Sequence, residues 1–319
     1  MPHFPEKRSH VRHRVTNLLQ SAILMLALLA LVSVTARIVL GEGAMWGALL
    51  GTGLALALAP SISPALVLAL YRARRLHRTE CPELFEIVQW LARRAGLPML
   101  PSLHYIASPQ PNAITVGTAN HGAIAITDGL LRSLDLRELT GVLAHEISHL
   151  RNRDTVVMGF SDLLSRMIAL LALSGMLLAF LAWAVVPAVT LTEVLFAILL
   201  LASLPWLSNL LQFALSRTRE FDADADAAAL SGDPEGLASA LQRIDAMQRR
   251  HWWLRGLTLR ARVEPSALRS HPPTAARIER LLAMRVDSEG GPAFVRRRAD
   301  HAFAPVPGRP RWRWNGLWY

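Results

Sequence analysis

Four long apolar segments constrain the fold of this chain more than any other feature. Each is about as long as the roughly 20 residues with which an α-helix spans a lipid bilayer. They lie at residues 18–40, 44–70, 158–186 and 194–215. We therefore predict four transmembrane helices in two hairpins, with Pro60 and Pro64 kinking the second helix or ending it early.

The composition agrees with a membrane protein. Hydrophobic residues make up 52% of the 319 residues, charged residues make up 18%, and the net charge is +10. A soluble domain has about 25% charged residues, whereas apolar segments with basic flanks are typical of membrane proteins. The single cysteine, Cys81, excludes an intramolecular disulfide and fits a reducing compartment.

Two other interpretations of the apolar segments stay open. The first segment follows a basic N-terminus, as in a secretory signal peptide, but it is longer than a typical signal core and a second segment follows closely. The last two segments could be buried helices of a soluble domain, although their length and near absence of charge favour a membrane hairpin.

Basic residues on both sides of the first hairpin predict its orientation. Residues 7–14 carry four lysines and arginines and residues 72–78 carry four arginines, whereas the turn between the helices has only Arg37. Positive flanks stay in the cytoplasm. We therefore predict a multi-pass protein of the cell inner (cytoplasmic) membrane with both termini in the cytoplasm.

The segment Thr140–Leu150 (TGVLAHEISHL) carries two histidines and a glutamate at metal-binding spacing. On an α-helix, His145 and His149 lie one turn apart on the same face and can bind one metal ion. Glu146 lies one step round the helix, where its carboxylate can reach a water molecule at the metal. This H-E-x-x-H arrangement is that of zinc peptidases.

Short elements are predicted around this segment. They are an amphipathic helix at 79–94 and β-strands at 103–107, 113–116 and 123–127. Asp135 and Glu138 stand in capping-box register at the start of the helix that carries the histidines. An exposed edge strand could hold an extended peptide by backbone hydrogen bonds, and a purely structural sheet is the alternative.

A catalytic zinc site uses three protein ligands, so a third ligand must come from elsewhere in the chain. Residues 216–230 (SRTREFDADADAAAL) offer several acids on a predicted helix. Asp224 lies one turn after Glu220 and can accept a hydrogen bond from a ligating histidine. Asp222 and Asp226 fall on other faces, where we expect solvent. Spacing alone leaves the choice of the third ligand open.

Several motifs occur together and in a defined order. They are Asn112 and Ala113 before Gly117, ITDGLL at 126–131, HEISH at 145–149, RNRD at 151–154, the apolar hairpin, SRTREFDADADAAA at 216–229 and HPPTAARIERL at 271–281. This combination resembles the HtpX family of membrane zinc metalloproteases, which are gluzincins related to the CAAX prenyl endopeptidases. The resemblance covers the chain up to about residue 285.

The resemblance implies a site for one Zn²⁺ ion. By position it implies zinc ligands His145, His149 and Glu220, the general base Glu146, and Asp224 as the partner of a ligating histidine. It also implies that Asn112, His271 and Arg277 contact the substrate or the negative charge of the transition state. For these residues structural roles remain open, since Asn112 can cap a turn and His271 can simply begin a helix.

The expected fold is a mainly α membrane protein with four transmembrane helices and a cytoplasmic α+β gluzincin-type protease domain with a small β-sheet. The expected segments are a basic tail (1–17), a membrane hairpin (18–71), the first catalytic part (72–156), a second hairpin (157–215), the second catalytic part (216–288) and a Trp-rich basic tail (289–319). We expect the last tail to be disordered or to lie on an anionic bilayer surface.

The resemblance implies a membrane-integrated zinc endopeptidase that cleaves misfolded membrane proteins or their cytoplasmic loops in protein quality control and the stress response. The expected partners are protein or peptide substrates and the lipid bilayer, and no nucleic acid is expected. The alternatives are a sensor-type signalling protease, an enzyme of prenyl-peptide processing and a catalytically idle scaffold. The short predicted outer loops count against the sensor, and the complete ligand set counts against the scaffold.

Overall fold

The computed structural model describes residues 7–44, 46–47, 50–51, 54, 64–255 and 274–284, with the backbone alone for 7–18 and 249–255. His271 and the tail 289–319 lie outside the described residues. The described chain forms two compact units. One unit contains the described residues up to 54 together with 157–219, and the other contains 64–156, 220–255 and 274–284.

The described chain is mostly helical with one small mixed β-sheet, as predicted. The helices are α1 (Lys7–Leu40), α2 (Pro64–Leu70), α3 (Pro82–Ala95), α4 (Asp128–Ser133), α5 (Leu136–Asn152), α6 (Asp154–Val185), α7 (Leu191–Ser231), α8 (Pro234–Arg255) and α9 (Thr274–Ala283). The strands are β1 (Arg74–Arg75), β2 (Ser102–Ile106), β3 (Ala113–Gly117) and β4 (Gly122–Thr127).

Three described helices are long and apolar enough to cross a membrane. They are Leu19–Leu40 within α1, all of α6 and all of α7. Within the described residues the number is therefore three and not the predicted four. Much of the predicted second helix, 44–70, lies outside the described residues, and α2 is its described end.

The first unit is held together by apolar packing and a buried polar contact. Its buried cluster contains Leu28 and Val32 of α1, Phe160, Leu164 and Ile168 of α6, and Leu201 and Leu204 of α7. The Ser208 hydroxyl of α7 donates to the Ser165 hydroxyl of α6 at 2.8 Å. Outward-facing Leu170, Phe196 and Leu199 are about two-thirds exposed, which suits a surface that faces lipid.

The sheet of the second unit has the strand order β1-β2-β4-β3, with β2 and β4 parallel and the other pairs antiparallel. The three predicted strands are confirmed to within one residue at each end. The two-residue strand β1 was not predicted, because two arginines carry no alternating pattern. Strand β3 lies at one edge of the sheet and packs against α5.

Helix α5 begins at the predicted capping box. The Asp135 carboxylate accepts from the Glu138 backbone N–H at 2.8 Å, and the Glu138 carboxylate accepts from the Asp135 N–H at 3.1 Å. Glu138 also accepts from Ser239 and Arg243 of α8, at 2.6 and 3.0 Å. Its buried carboxylate therefore ties the start of α5 to α8.

Helices α5 and α8 approach closely at Gly141. A Cβ atom at Gly141 would lie 2.9 Å from the Leu237 Cα. We predict that Gly141→Ala lowers the free energy of unfolding by roughly 1–3 kcal/mol, because the helices would have to separate. The midpoint of thermal unfolding in detergent measures this loss.

Gly159→Ala is the matched control, since a Cβ atom at that helical glycine of α6 meets nothing within 4 Å. Its midpoint should not fall. An equal loss in both variants would show that the α5–α8 contact is not the cause.

Candidate metal centre

Three side chains bring their ligand atoms together. His145 and His149 face each other with Nε2 atoms 3.1 Å apart. The Glu220 carboxylate lies 3.4 Å from the His145 Nε2 and 3.7 Å from the His149 Nε2. Tetrahedral zinc with ligands at 2.0–2.1 Å requires separations of roughly 3.3 Å between ligand atoms. The donor set and its spacing therefore fit a zinc ion.

Two helices supply these ligands. The helical repeat of α5 places His145 and His149 one turn apart, and their rings meet nearly at right angles. The fully buried Leu139, Leu143 and Ile147 fix the rotation of α5 about its axis. Helix α7 runs without interruption through Glu220. The family resemblance, and not the spacing of the acids, predicted Glu220 as the third ligand.

Each histidine has a carboxylate at its second ring nitrogen. Asp224 lies 3.0 Å from the His145 Nδ1. Asp154 lies 3.0 Å from the His149 Nδ1 and can accept a hydrogen bond from it. Such carboxylates orient the ring and increase its basicity toward a metal.

Asp224 was expected at this place, whereas Asp154 was missed. Helix α5 ends at Arg153, whose φ of 57° turns the chain back toward the last helical turn. This turn brings Asp154, five residues after His149, against the ring. The only sequence signal was the acid at the end of RNRD.

The site favours a cation at His145. Burial by itself lowers the pKa of His145, but the carboxylates of Asp224 and Glu220 outweigh it and raise the pKa to about 10. The two acids therefore place a strongly negative potential at this ring. A metal cation between His145 and Glu220 would be stabilised by the same potential.

Arg277 of α9 is buried against the two acids of α7. Its Nε and Nη2 donate to the two Asp224 oxygens, both at 2.7 Å, and its Nη1 lies 3.0 Å from Glu220. Its Nη2 is also 3.5 Å from the His145 Nε2. The structure thus brings Arg277 to the metal centre, where its charge is paired with Asp224 and Glu220.

Glu146 lies half-buried beside the edge strand. The Thr115 hydroxyl of β3 donates to the Glu146 Oε2 and lies 3.3 Å from the Glu146 backbone oxygen. Sequence reasoning missed Thr115, because a threonine in a short strand carries no functional signal.

The predicted substrate contact of Asn112 stays a prediction, and the structure shows the bonds of its backbone. The Asn112 backbone is bonded to Thr127, which accepts from its N–H at 2.8 Å and donates to its carbonyl at 3.0 Å. His271 is outside the described residues, so its role stays a prediction. The expectation that Asp226 faces solvent is wrong: it is half-buried and accepts from Asn152 and Ser148 of α5 at 2.8 and 3.3 Å.

Known proteins resemble this chain over most of its length. Residues 78–285 match peptidase family M48. The protease HtpX homolog of Ralstonia pickettii is 35% identical over 260 residues, which cover 81% of this chain and 85% of that protein. The protease HtpX homolog of Methylibium petroleiphilum is 33% identical, over 84% of this chain and 98% of that protein. The protease HtpX homolog of Acaryochloris marina is 36% identical, over 72% of this chain and 81% of that protein.

Asp154→Asn should weaken zinc binding by about 10- to 100-fold, because the His149 ring loses the negative charge that orients it. Competition with a chelator measures this affinity. Asp226→Asn is the matched control. The Asp226 carboxylate also contacts α5, but it accepts from Ser148 and Asn152 and not from a histidine. Equal weakening by both substitutions would contradict a specific role of Asp154.

Proposed function

The chain belongs to peptidase family M48 and to its HtpX proteases, and from this premise we propose that it is a zinc endopeptidase that cleaves misfolded membrane proteins or their cytoplasmic loops. The observation that carries the proposal is the spacing of the His145, His149 and Glu220 ligand atoms, which all lie within 4.8 Å of one another. The membrane helices and the metalloprotease family together support action on membrane-bound substrates in quality control and the stress response.

His145, His149 and Glu220 would hold the zinc ion. When bound there, zinc supplies Lewis-acid polarisation of the scissile carbonyl and lowers the pKa of water. Asp154 and Asp224 orient the two histidine rings. The roles of all these residues rest on their geometry and on the family.

Glu146 is the proposed general base. It takes a proton from the attacking water and passes it to the leaving amine, which restores the carboxylate. The Arg277 guanidinium lies near enough to Glu146 for an electrostatic interaction. Arg277 would therefore lie close to the base while it neutralises the acids of α7, in addition to any contact with the substrate.

Strand β3 is the proposed binding edge for the substrate backbone. It pairs with β4 on one side, and among the described strands no other occupies its second side. An extended peptide added to this edge would be held by backbone hydrogen bonds, with little dependence on its side chains. Because β3 packs against α5, this peptide would run beside Glu146.

We place the protein in the inner membrane with both termini and the metal centre in the cytoplasm, on the basis of its basic flanks. The turn between α6 and α7 spans residues 186–190, which leaves no room there for the outer sensing domain of a signalling protease.

Reporter fusions test this orientation. A reporter after Tyr319 should be active on the cytoplasmic side, and one inserted at residues 186–190 should be active on the outer side, because basic flanks are retained in the cytoplasm. The reverse pattern would contradict the orientation and leave the metal centre unaffected.

Glu146→Gln should abolish cleavage of an unfolded test protein by the detergent-purified, zinc-loaded chain, because the amide cannot accept the water proton. The zinc content should stay at the native level, since Glu146 is not a ligand. Glu86→Gln, at an exposed position of α3, is the matched control and should cleave normally. Cleavage retained by Glu146→Gln would contradict the mechanism.

A further inference from the structure

Thr115 occupies the middle of the edge strand β3 and faces helix α5. It pairs with Ile124 of β4, and paired residues of neighbouring strands share one face of a sheet. Ile124 is buried in the cluster that contains Leu139, Leu143 and Ile147 of α5, whereas Val116 and Ala123 belong to the cluster on the other face. The position of Thr115 against Glu146 therefore follows from the strand register.

The hydroxyl of Thr115 is not needed for the sheet. Strand β3 is bound to β4 through backbone groups, and valine has the shape of threonine with a comparable preference for strands. The contacts of the hydroxyl are with the Glu146 carboxylate and backbone oxygen. Its contribution therefore lies at Glu146.

We propose that Thr115 is a positioning residue for the general base, an inference that rests on the proposed function. A threonine hydroxyl has one proton to donate, and here the Glu146 Oε2 accepts it. This bond selects one orientation of the flexible glutamate side chain and leaves Oε1 to receive the proton of the water.

The proton transfers balance without any change at Thr115. The water O–H bond breaks as the Oε1–H bond forms, and the water oxygen bonds the carbonyl carbon of the peptide. The Oε1–H bond later breaks as the leaving nitrogen takes the proton and the C–N bond breaks. The Thr115 hydroxyl keeps its own proton throughout. Because Thr115 also belongs to the proposed binding strand, its hydroxyl holds the base beside the peptide edge.

The test compares Thr115→Val and Thr115→Ser in the zinc-loaded full-length protein. Thr115→Val should lower kcat by about 10- to 100-fold, the range expected for loss of a hydrogen bond to a charged group, with KM, zinc content and unfolding midpoint near native. Thr115→Ser restores the hydroxyl and should recover most of kcat.

Thr155→Val is the matched control for the position of the strand. The Thr155 hydroxyl donates to the Gly117 carbonyl at the end of β3, at 2.7 Å. This variant loosens β3 without removing a bond to Glu146, so it measures the loss of kcat that strand placement alone causes, and this loss should be much smaller than that of Thr115→Val. If kcat fell as far in Thr155→Val as in Thr115→Val, the proposal would be overturned, because the position of the strand alone would then explain the loss in both variants.

Binding of a peptide hydroxamate gives a readout that does not need turnover. A hydroxamic acid that binds zinc as an anion gives up its proton to the nearest base, so Thr115→Val should weaken its affinity by a similar factor and Thr115→Ser should not. Native affinity and native kcat in Thr115→Val would overturn the proposal. If the zinc-loaded native chain cleaves nothing, the proposed function fails, and the hydroxamate comparison still decides the role of Thr115.

Discussion

The pairing of buried charges around Arg277 is the interaction on which the candidate metal centre depends. Arg277, Asp224, Glu220 and His145 are each less than one-tenth exposed. Buried charges are tolerated when every one of them is paired, and removing one partner leaves the others uncompensated. Helix α9 carries no part of the H-E-x-x-H segment, yet its arginine balances the charges of Glu220, the proposed third ligand, and of Asp224 beside His145. Helix α9 is therefore part of the site, as α5 is.

Helix α5 combines a structural and a chemical role. One face is fully buried through Leu139, Leu143 and Ile147, and this packing directs the two histidines toward Glu220. Its first turn is closed by a capping box whose glutamate is also bonded to α8. The rigidity that a metal site requires thus comes from the packing of the core helix itself.

The residues that follow α5 connect the metal centre to the edge strand. Asp154 contacts the His149 ring, and the next residue, Thr155, bonds the end of β3. Strand β3 in turn contacts Glu146 through Thr115. A proposed metal ligand, the proposed base and the proposed peptide edge are therefore held by one continuous set of contacts, which favours a site organised before the substrate arrives.

Local patterns in the sequence determined the helix of the two histidines, its capping box, the three longer strands and the apolar segments, because helical repeat, strand alternation and capping act over a few residues. The choice of Glu220 needed the family resemblance. Only the tertiary structure decided that Asp154 reaches His149, that Asp226 is bonded to α5, that Thr115 meets Glu146 and that Arg277 pairs with Asp224. The Thr115, Asp226 and Arg277 contacts join residues far apart in the chain, and the Asp154 contact depends on a backbone turn at Arg153. These contacts depend on the direction in which helices and strands pack and on the turn at Arg153. A periodic pattern over a few residues does not predict the packing direction or the turn.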